Sequence, residues 1–327
     1  MRNRENRIQT YSSYRGAGFI GSQLAKRLVE KNRIVIFDNL HRDALKYTDL
    51  ESNPDVTLIK GSVLDKAGLL EAASGCDVVI HLAAIAGVDT VMGMPTQTIK
   101  INLLGTMNAL DAAVEAGVKR FVDFSTSEVF GSHVYMAEEH NATALGVVGE
   151  SRWTYAVSKL AAEHLTHSYH KEYGLSTVTI RPFNVYGPQQ VGIGAIHTFV
   201  EDALRGRDLV IHGDGNQIRA WCFVDDMVDG TILCLEKDEA VGHVFNIGNP
   251  RATVTVANLA HLVKRLAKSD SNVVFGYKDY ADIELRIPSI KKAQNMLGFW
   301  PKVDLEEGLL RTIEWYRERM DDQADQT

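Results

Sequence analysis

Tyr155 and Lys159 stand four residues apart in "SRWTYAVSKLAAEHL", so on a helix both side chains leave the same face. An unperturbed tyrosine titrates near pH 10, roughly. A neighbouring ammonium favours its phenolate. A phenolate so poised can take the proton from a substrate hydroxyl. The stretch "FSTSEVFG" (124–131) follows an apolar run, and Thr126 would add a hydroxyl to the same proton relay.

A proton abstraction of this kind is useful when a hydride leaves the same carbon, and the N-terminal region offers a place for a hydride acceptor. In "YSSYRGAGFIGSQLAKRL" (11–28), Gly18 and Gly21 are three apart and open a helical pattern. Glycines there let backbone approach a pyrophosphate, and the helix N-terminus supplies amide donors and a positive dipole end. Asp38 ends the apolar run "RIVIFD" (33–38), where a carboxylate accepts hydrogen bonds from an adenosine ribose. A nicotinamide dinucleotide is the cofactor this pattern predicts. One position departs from it. Three residues before Gly18 stands Arg15, whose Cβ resists the positive φ that glycine accepts but whose guanidinium can reach a phosphate. The preceding "IQTYSSY" is too polar to read easily as a central strand, although Tyr and Thr suit strands.

The elements that must hold these residues keep an α/β rhythm. The runs 33–38, 56–61, 77–84, 120–125 and 176–184 are β-branched and continuous rather than alternating, as in parallel strands buried on both faces. Helical patterns lie between them at 19–31, 64–74, 97–117 and 154–173. The fold class expected is therefore α/β, a Rossmann-type doubly wound parallel sheet with ligands at the C-terminal strand ends. The rhythm changes near 185, implying a smaller C-terminal α/β substrate domain. We expect the dinucleotide domain over 8–184 with 220–249 returning to it, and the substrate domain over 185–219 and 250–320. The glycine-rich 187–195 reads as a lid, 305–320 as a final helix and 321–327 as a disordered tail.

Composition narrows the class. The chain has 327 residues, 45% hydrophobic and 24% charged, ordinary for a soluble globular protein. A net charge of −7 argues against a nucleic-acid partner. No apolar run is long enough for a membrane span, and no apolar segment comes after the basic "MRNRENR" as a secretory signal would require. Cys76, Cys222 and Cys234 are widely separated, which reads as reduced structural thiols in a cytoplasmic protein. His164, His167 and His170 recur at every third position of one helix without a nearby acid or cysteine, so they read as a solvated or interface face and not as a metal site.

Ordered along the chain, "GAGFIGS", "FDNL", "VIHLAA", "INLLGT", "STSEVFG", "YAVSK", "RPFNVYGP", "GDGNQIR", "FNIGN" and "RIPSIKKAQNMLGFWPKVDLEEGL" resemble the extended short-chain dehydrogenase/reductases. The likeness is to their NAD-dependent nucleotide-sugar epimerase, dehydratase and decarboxylase group and covers about residues 8–320. The resemblance implies NAD as cofactor, held by Gly16, Gly18, Phe19, Ile20, Gly21, Asp38, Asn39, Ser62, Val63, Leu82, Ala83, Ala84, Asn102, Tyr155 and Lys159. It implies Thr126, Tyr155 and Lys159 as the catalytic triad, with Asn184, Arg219 and Arg286 binding a nucleotide sugar. It also implies a homodimer through a four-helix bundle built from 97–117 and 154–173. Two positions depart from the family pattern: Ser62 stands where an Asp often lies beside the adenine, and Ala220 where an Asp commonly comes after the arginine.

In that group the sugar is first oxidised at C4, and the residues after Thr126 select the fate of the ketone. Ser127 and Glu128 resemble the UDP-glucuronate decarboxylases, and also some GDP-mannose and UDP-N-acetylhexosamine dehydratases; the decarboxylases also carry an arginine where Arg286 stands. The leading expectation is a UDP-glucuronate decarboxylase-like reaction with Ser127, Glu128 and Arg286 in the catalytic set. A UDP-sugar 4-epimerase, a 4,6-dehydratase, and a non-catalytic nucleotide-sugar or dinucleotide sensor remain as alternatives.

Overall fold

Thr10–Tyr14 (β1) is an interior strand of a seven-stranded sheet in the computed structural model, which describes residues 9–192, 194–277 and 283–324. With β2 (Arg33–Asp38), β3 (Val56–Lys60), β4 (Val78–His81), β5 (Arg120–Phe124), β6 (His133–Ala137) and β7 (Thr177–Pro182) defined in chain order, the sheet runs β3-β2-β1-β4-β5-β7 and ends on the His243–Ile247 strand; β6 lies in another sheet. The pairings from β3 through to β7 are all parallel. The order reverses between β1 and β4, which is where an open sheet of this kind leaves a crevice for a ligand.

The polarity of β1 did not keep it from the interior of the sheet. Tyr11, Ser12, Ser13 and Tyr14 are all buried. Tyr14 satisfies its hydroxyl by donating to Leu69 O at 2.9 Å and sets its ring edge-on to Phe37, at 5.9 Å between centroids. Gly16 lies against Ser13: a Cβ on Gly16 would fall 2.7 Å from the Ser13 Oγ, so the turn after β1 folds directly onto the strand. Hydrophobicity alone misreads such a strand because aromatic bulk and small hydroxyls pack a pleated surface well.

The helical stretch expected over 97–117 is not one regular helix. It consists of Pro95–Ile99, a π-helical turn over Lys100–Leu104, and Gly105–Glu115. Such a turn commonly marks a functional position; here it carries Asn102. The Thr154–Tyr173 helix matches its expected span and ends on Gly174 in the left-handed conformation, φ 70°.

Two compact units emerge. One comprises the chain up to Thr126 with Gly149–Arg181 and Thr231–Phe245; the other comprises Ser127–Val148, Pro182–Gly230 and the chain from Asn246 onward. Set beside the expected partition, 127–148, 182–184, 220–230 and 246–249 group with the second unit. Strand pairing explains the first, since β6 joins Leu285–Pro288 in a four-stranded sheet with Ile218–Ala220 and Thr253–Thr255.

In the second unit the helices Ala195–Leu204, Val256–Ala267 and Leu305–Ala324 pack together. The Val256–Ala267 helix is capped by Thr255 Oγ1, which accepts from Asn258 N at 3.1 Å, and buries Leu259, Ala260, Val263 and Ala267 along one stripe. Each fully buried Leu or Val there contributes about 1.5–3 kcal/mol. The last helix continues to Ala324, so the expected tail is helical over 321–324; residues 325–327 lie outside the described residues.

Candidate active site

The turn after β1 leads into the Phe19–Leu28 helix, whose N-cap Gly18 is extended and offers no side-chain cap. The first amides of that helix therefore keep donors available for an anion. A Cβ on Gly21 would stand 2.6 Å from Gly16 O, so only glycine allows this helix to close on the turn. Arg15 adopts φ 63°, a left-handed backbone. For a residue with a Cβ this costs of order 1–3 kcal/mol. Its N–H donates to Phe37 O at 2.7 Å, which fixes it beside the end of β2.

At that end lies Asp38. Its Oδ2 accepts from Ala17 N at 3.0 Å and its Oδ1 from Leu40 N at 2.7 Å. Burial pushes its pKa up; the two amides, and then Arg15, pull against that rise. Asp38 faces a cavity of about 240 Å³ whose wall also includes Arg15, Asn39, Arg42, Ser62, Val63, Ala83, Ala84 and Ile85. Of the residues expected to touch a cofactor, Asp38, Asn39, Ser62, Val63, Ala83 and Ala84 meet in this wall. Gly16, Gly18, Phe19, Ile20 and Gly21 form the adjoining turn and helix start. Ser62 accepts from Leu64 N through its Oγ at 3.3 Å.

Leu82 and Asn102 are not in the wall. Leu82 continues the pairing beyond β4, donating its N–H to Tyr14 O at 3.0 Å. Asn102 is fully buried behind the cavity, and its amide brackets Ile85: Oδ1 accepts from Ile85 N at 2.7 Å and Nδ2 reaches Ile85 O at 3.3 Å. The same Nδ2 lies 3.0 Å from Ser158 Oγ, on the helix of Tyr155 and Lys159. Asn102 thus braces Ile85 of the wall and ties it to the helix of Tyr155 and Lys159.

Lys159 is wholly buried, with Nζ 3.6 Å from Asp123 Oδ1 on β5. Asp123 is not among the expected site residues, although a carboxylate in the middle of the apolar run "RFVDF" is a visible signal. Burial raises the Asp123 pKa, and the Lys159 ammonium opposes that. One turn further on, Glu163 receives Arg181 of β7 through two hydrogen bonds, of 2.8 and 2.7 Å. The helix bearing Tyr155 is therefore anchored to two strands by buried ionic contacts. Thr126 is buried at the end of this unit.

In the second unit, Arg286 is 2% exposed. Its Nη2 donates to Gly131 O at 2.9 Å and its Nη1 lies 4.0 Å from Glu128 Oε1. Arg219 stands in register with Arg286 on the adjacent parallel strand. Two buried like charges side by side are unfavourable on their own, and the arrangement suits an anionic ligand. Asn184 spends one Nδ2 hydrogen on Ala220 O at 2.8 Å. Ser127, Trp221 and Cys222 are buried. In the expected lid, Gln190 O accepts from Tyr316 Oη at 2.9 Å; Ile193 lies outside the described residues. Cys76, Cys222 and Cys234 are free buried thiols. Among the described residues no cluster of three or more His, Cys, Asp or Glu is placed to hold a metal, and no helix is long and apolar enough to cross a membrane.

A glycine turn that only glycine can close, an uncapped helix N-terminus and a carboxylate facing a cavity at the strand end all fit a dinucleotide. They define an α/β protein of the doubly wound, dinucleotide-binding class. The chain belongs to the NAD dependent epimerase/dehydratase family, whose model matches residues 16–248, and NAD is its cofactor. It is 36% identical over 313 residues to the UDP-N-acetyl-alpha-D-glucosaminuronate decarboxylase of Bacillus cytotoxicus, covering 93% of this chain and 96% of that one. It is 36% identical over 316 residues to UDP-glucuronic acid decarboxylase 6 of Arabidopsis thaliana, covering 93% and 88%. The UDP-glucuronic acid 4-epimerase of Bacillus cereus, solved with UDP-glucuronic acid and NAD, superimposes with a TM-score of 0.86 at 29% identity over 95% of this chain and 99% of that one.

Proposed function

We propose that the protein decarboxylates a UDP-linked hexuronate after transient oxidation at C4. The observation that carries this reading is the Glu128–Arg286 pair, 4.0 Å apart, with Arg219 in register beside it. The two decarboxylase relatives, whose names specify UDP-uronates, support it.

Bound NAD supplies the acceptor for the C4 hydride. Tyr155, as phenolate, takes the C4 hydroxyl proton; the Lys159 ammonium favours that phenolate and Thr126 hydrogen-bonds the same oxygen. The C4 ketone leaves the C5 carboxylate in a β-keto acid. Its C–C bond breaks, carbon dioxide departs, and the electron pair moves into an enolate; C5 then takes a proton from solvent, and the C4 ketone regains the hydride and the proton held by Tyr155. Arg286, permanently charged, steadies the anion as it passes from carboxylate to enolate oxygen. Glu128 orients that guanidinium. Asn184 and Arg219 hold the diphosphate and sugar.

The test is a mass spectrum of UDP-glucuronate, and of its 2-acetamido counterpart, after incubation with the protein and NAD. Loss of carbon dioxide is the expected result, and the substrate that reacts names the group at C2. The likeness to the UDP-glucuronic acid 4-epimerase favours a second reading, 4-epimerisation. It predicts an unchanged mass and a new C4 epimer on chromatography.

The protein also acts, in this reading, as a cytoplasmic homodimer. Ile99, Leu104, Val114 and Val157 are exposed apolar residues on the 95–115 and 154–173 segments, the surface a four-helix interface would cover. Light scattering at micromolar concentration gives twice the monomer mass if so.

A further inference from the structure

We propose that Arg15 and Arg42 clasp a third phosphate, the one carried on the adenosine ribose of NADP, so that the cavity accepts the 2′-phosphorylated cofactor as well as NAD. The inference rests on the reading of this cavity as the adenosine site.

Both arginines line the cavity. The Arg15 guanidinium makes no hydrogen bond and no ion pair among the described residues, and its five N–H donors are unspent. Arg42 spends Nη2 on Ala86 O at 3.1 Å. Burial weighs most against the Arg15 charge, and the Arg42 guanidinium adds to that penalty. Asp38 is the single acid in the cavity wall. It answers only part of this charge, and both its oxygens already accept backbone amides. Two cations against one committed carboxylate make a site short of an anion.

NAD itself does not fill that need at the ribose. Its pyrophosphate belongs at the uncapped start of the Phe19–Leu28 helix, where amides serve it. The ribose end is where doubly wound proteins distinguish the two cofactors: a carboxylate takes the free hydroxyls and an arginine takes the 2′-phosphate. This chain offers both groups there. Arg15 also holds a left-handed backbone that glycine would adopt without strain. Bidentate phosphate binding by a guanidinium is an interaction that would offset such strain.

The test is calorimetric titration of the full chain with NAD and with NADP, for the wild type, Arg15→Gly and Arg42→Ala. Glycine suits φ 63°, so Arg15→Gly should fold, and far-UV circular dichroism checks this. The wild type should bind NADP within about tenfold of NAD. Arg15→Gly should weaken NADP roughly ten- to a hundredfold, the loss of a charged hydrogen-bonded contact, and NAD by less than about threefold. Arg42→Ala should act in the same direction. Binding of NAD without NADP overturns this inference alone. Equal weakening of both cofactors by Arg15→Gly overturns it too, and makes Arg15 a pyrophosphate ligand. Failure to bind either removes the cofactor reading beneath it, and this inference with it.

Discussion

Lys159 Nζ lies 3.6 Å from Asp123 Oδ1, and solvent reaches neither side chain. Neither charged group makes a hydrogen bond among the described residues, so each depends on the other for its charge. Removing one partner of a buried pair costs about 3–5 kcal/mol, whereas replacing both by apolar groups is often neutral. Asp123→Leu should therefore lower unfolding free energy in urea by about that amount. The double variant Asp123→Leu with Lys159→Met should recover most of it. A double variant no more stable than Asp123→Leu would mean that the pair is not coupled. The recovered protein should still lack turnover, because the proposed reaction uses the Lys159 ammonium beside Tyr155.

Asn102 predicts a different pattern. Its amide holds Ile85, which faces the cavity, and Ser158, on the helix of Tyr155. Asn102→Ala would leave the half-buried Ile85 amide without its acceptor, costing about 1 kcal/mol, the low end of the range for a lost buried partner. The loosened wall should also weaken NAD binding. A melting temperature and an NAD titration on the same sample check both. A variant that loses stability but binds NAD unchanged would show that the Asn102 clamp does not shape the cofactor wall.

These two residues show what could be read from the sequence and what could not. The parallel strands announced themselves because burial on both faces needs continuous apolar runs. The Tyr155–Lys159 helix announced itself because four-residue spacing is geometric. Arg15 was legible as an anomaly, since an arginine at a glycine position breaks a backbone rule. The polar interior strand of the sheet was not, because Tyr14 and Ser13 fit through shape and one hydrogen bond to Leu69, neither of which hydropathy measures. The π-helical turn that carries Asn102 was not legible, because a periodicity of 3.6 reads 97–117 as one regular helix. Asp123 depends on a contact with a helix 36 residues later in the chain, and no local pattern carries that.

His81 gives a pH prediction. Thr106 donates its hydroxyl to Asn102 O at 2.6 Å, so at the 3.1 Å contact with His81 it must accept from Nε2–H. The other ring nitrogen, Nδ1, then has no proton, and no partner among the described residues. Burial, and then the Lys159 charge, hold the ring's pKa well below its ordinary value. Below about pH 6.5 the unfolded chain takes up a proton that the folded chain refuses. Stability contributed by the neutral ring is complete above that pH and is lost as pH falls, by up to about 1.4 kcal/mol per pH unit. His81→Gln keeps a donor toward Thr106 and removes the titration. Its urea midpoints should fall less steeply between pH 7 and 5 than those of the wild type; parallel slopes would assign the acid sensitivity elsewhere.

The Glu128–Arg286 pair makes the most specific claim about the chemistry. Arg286 is pinned at two points, Gly131 O at 2.9 Å and Glu128 at 4.0 Å, and a lysine has one head with which to replace a planar fork. In the proposed reaction these residues act only after C4 has been oxidised. Arg286→Lys and Glu128→Gln should therefore lower carbon dioxide release by about 10²- to 10⁴-fold, the range for a positioned polar or acid–base group. The first half-reaction should remain. Mixed with a UDP-hexuronate, both variants should build up the absorbance of reduced nicotinamide together with a 4-keto sugar. Tyr155→Phe should build up neither, because the C4 proton has no acceptor. A Glu128→Gln protein that releases carbon dioxide at the wild-type rate would remove Glu128 from the chemistry and leave Arg286 as a diphosphate ligand. Loss of C4 oxidation in both variants would instead place the pair at substrate binding and turn attention to the 4-epimerase reading.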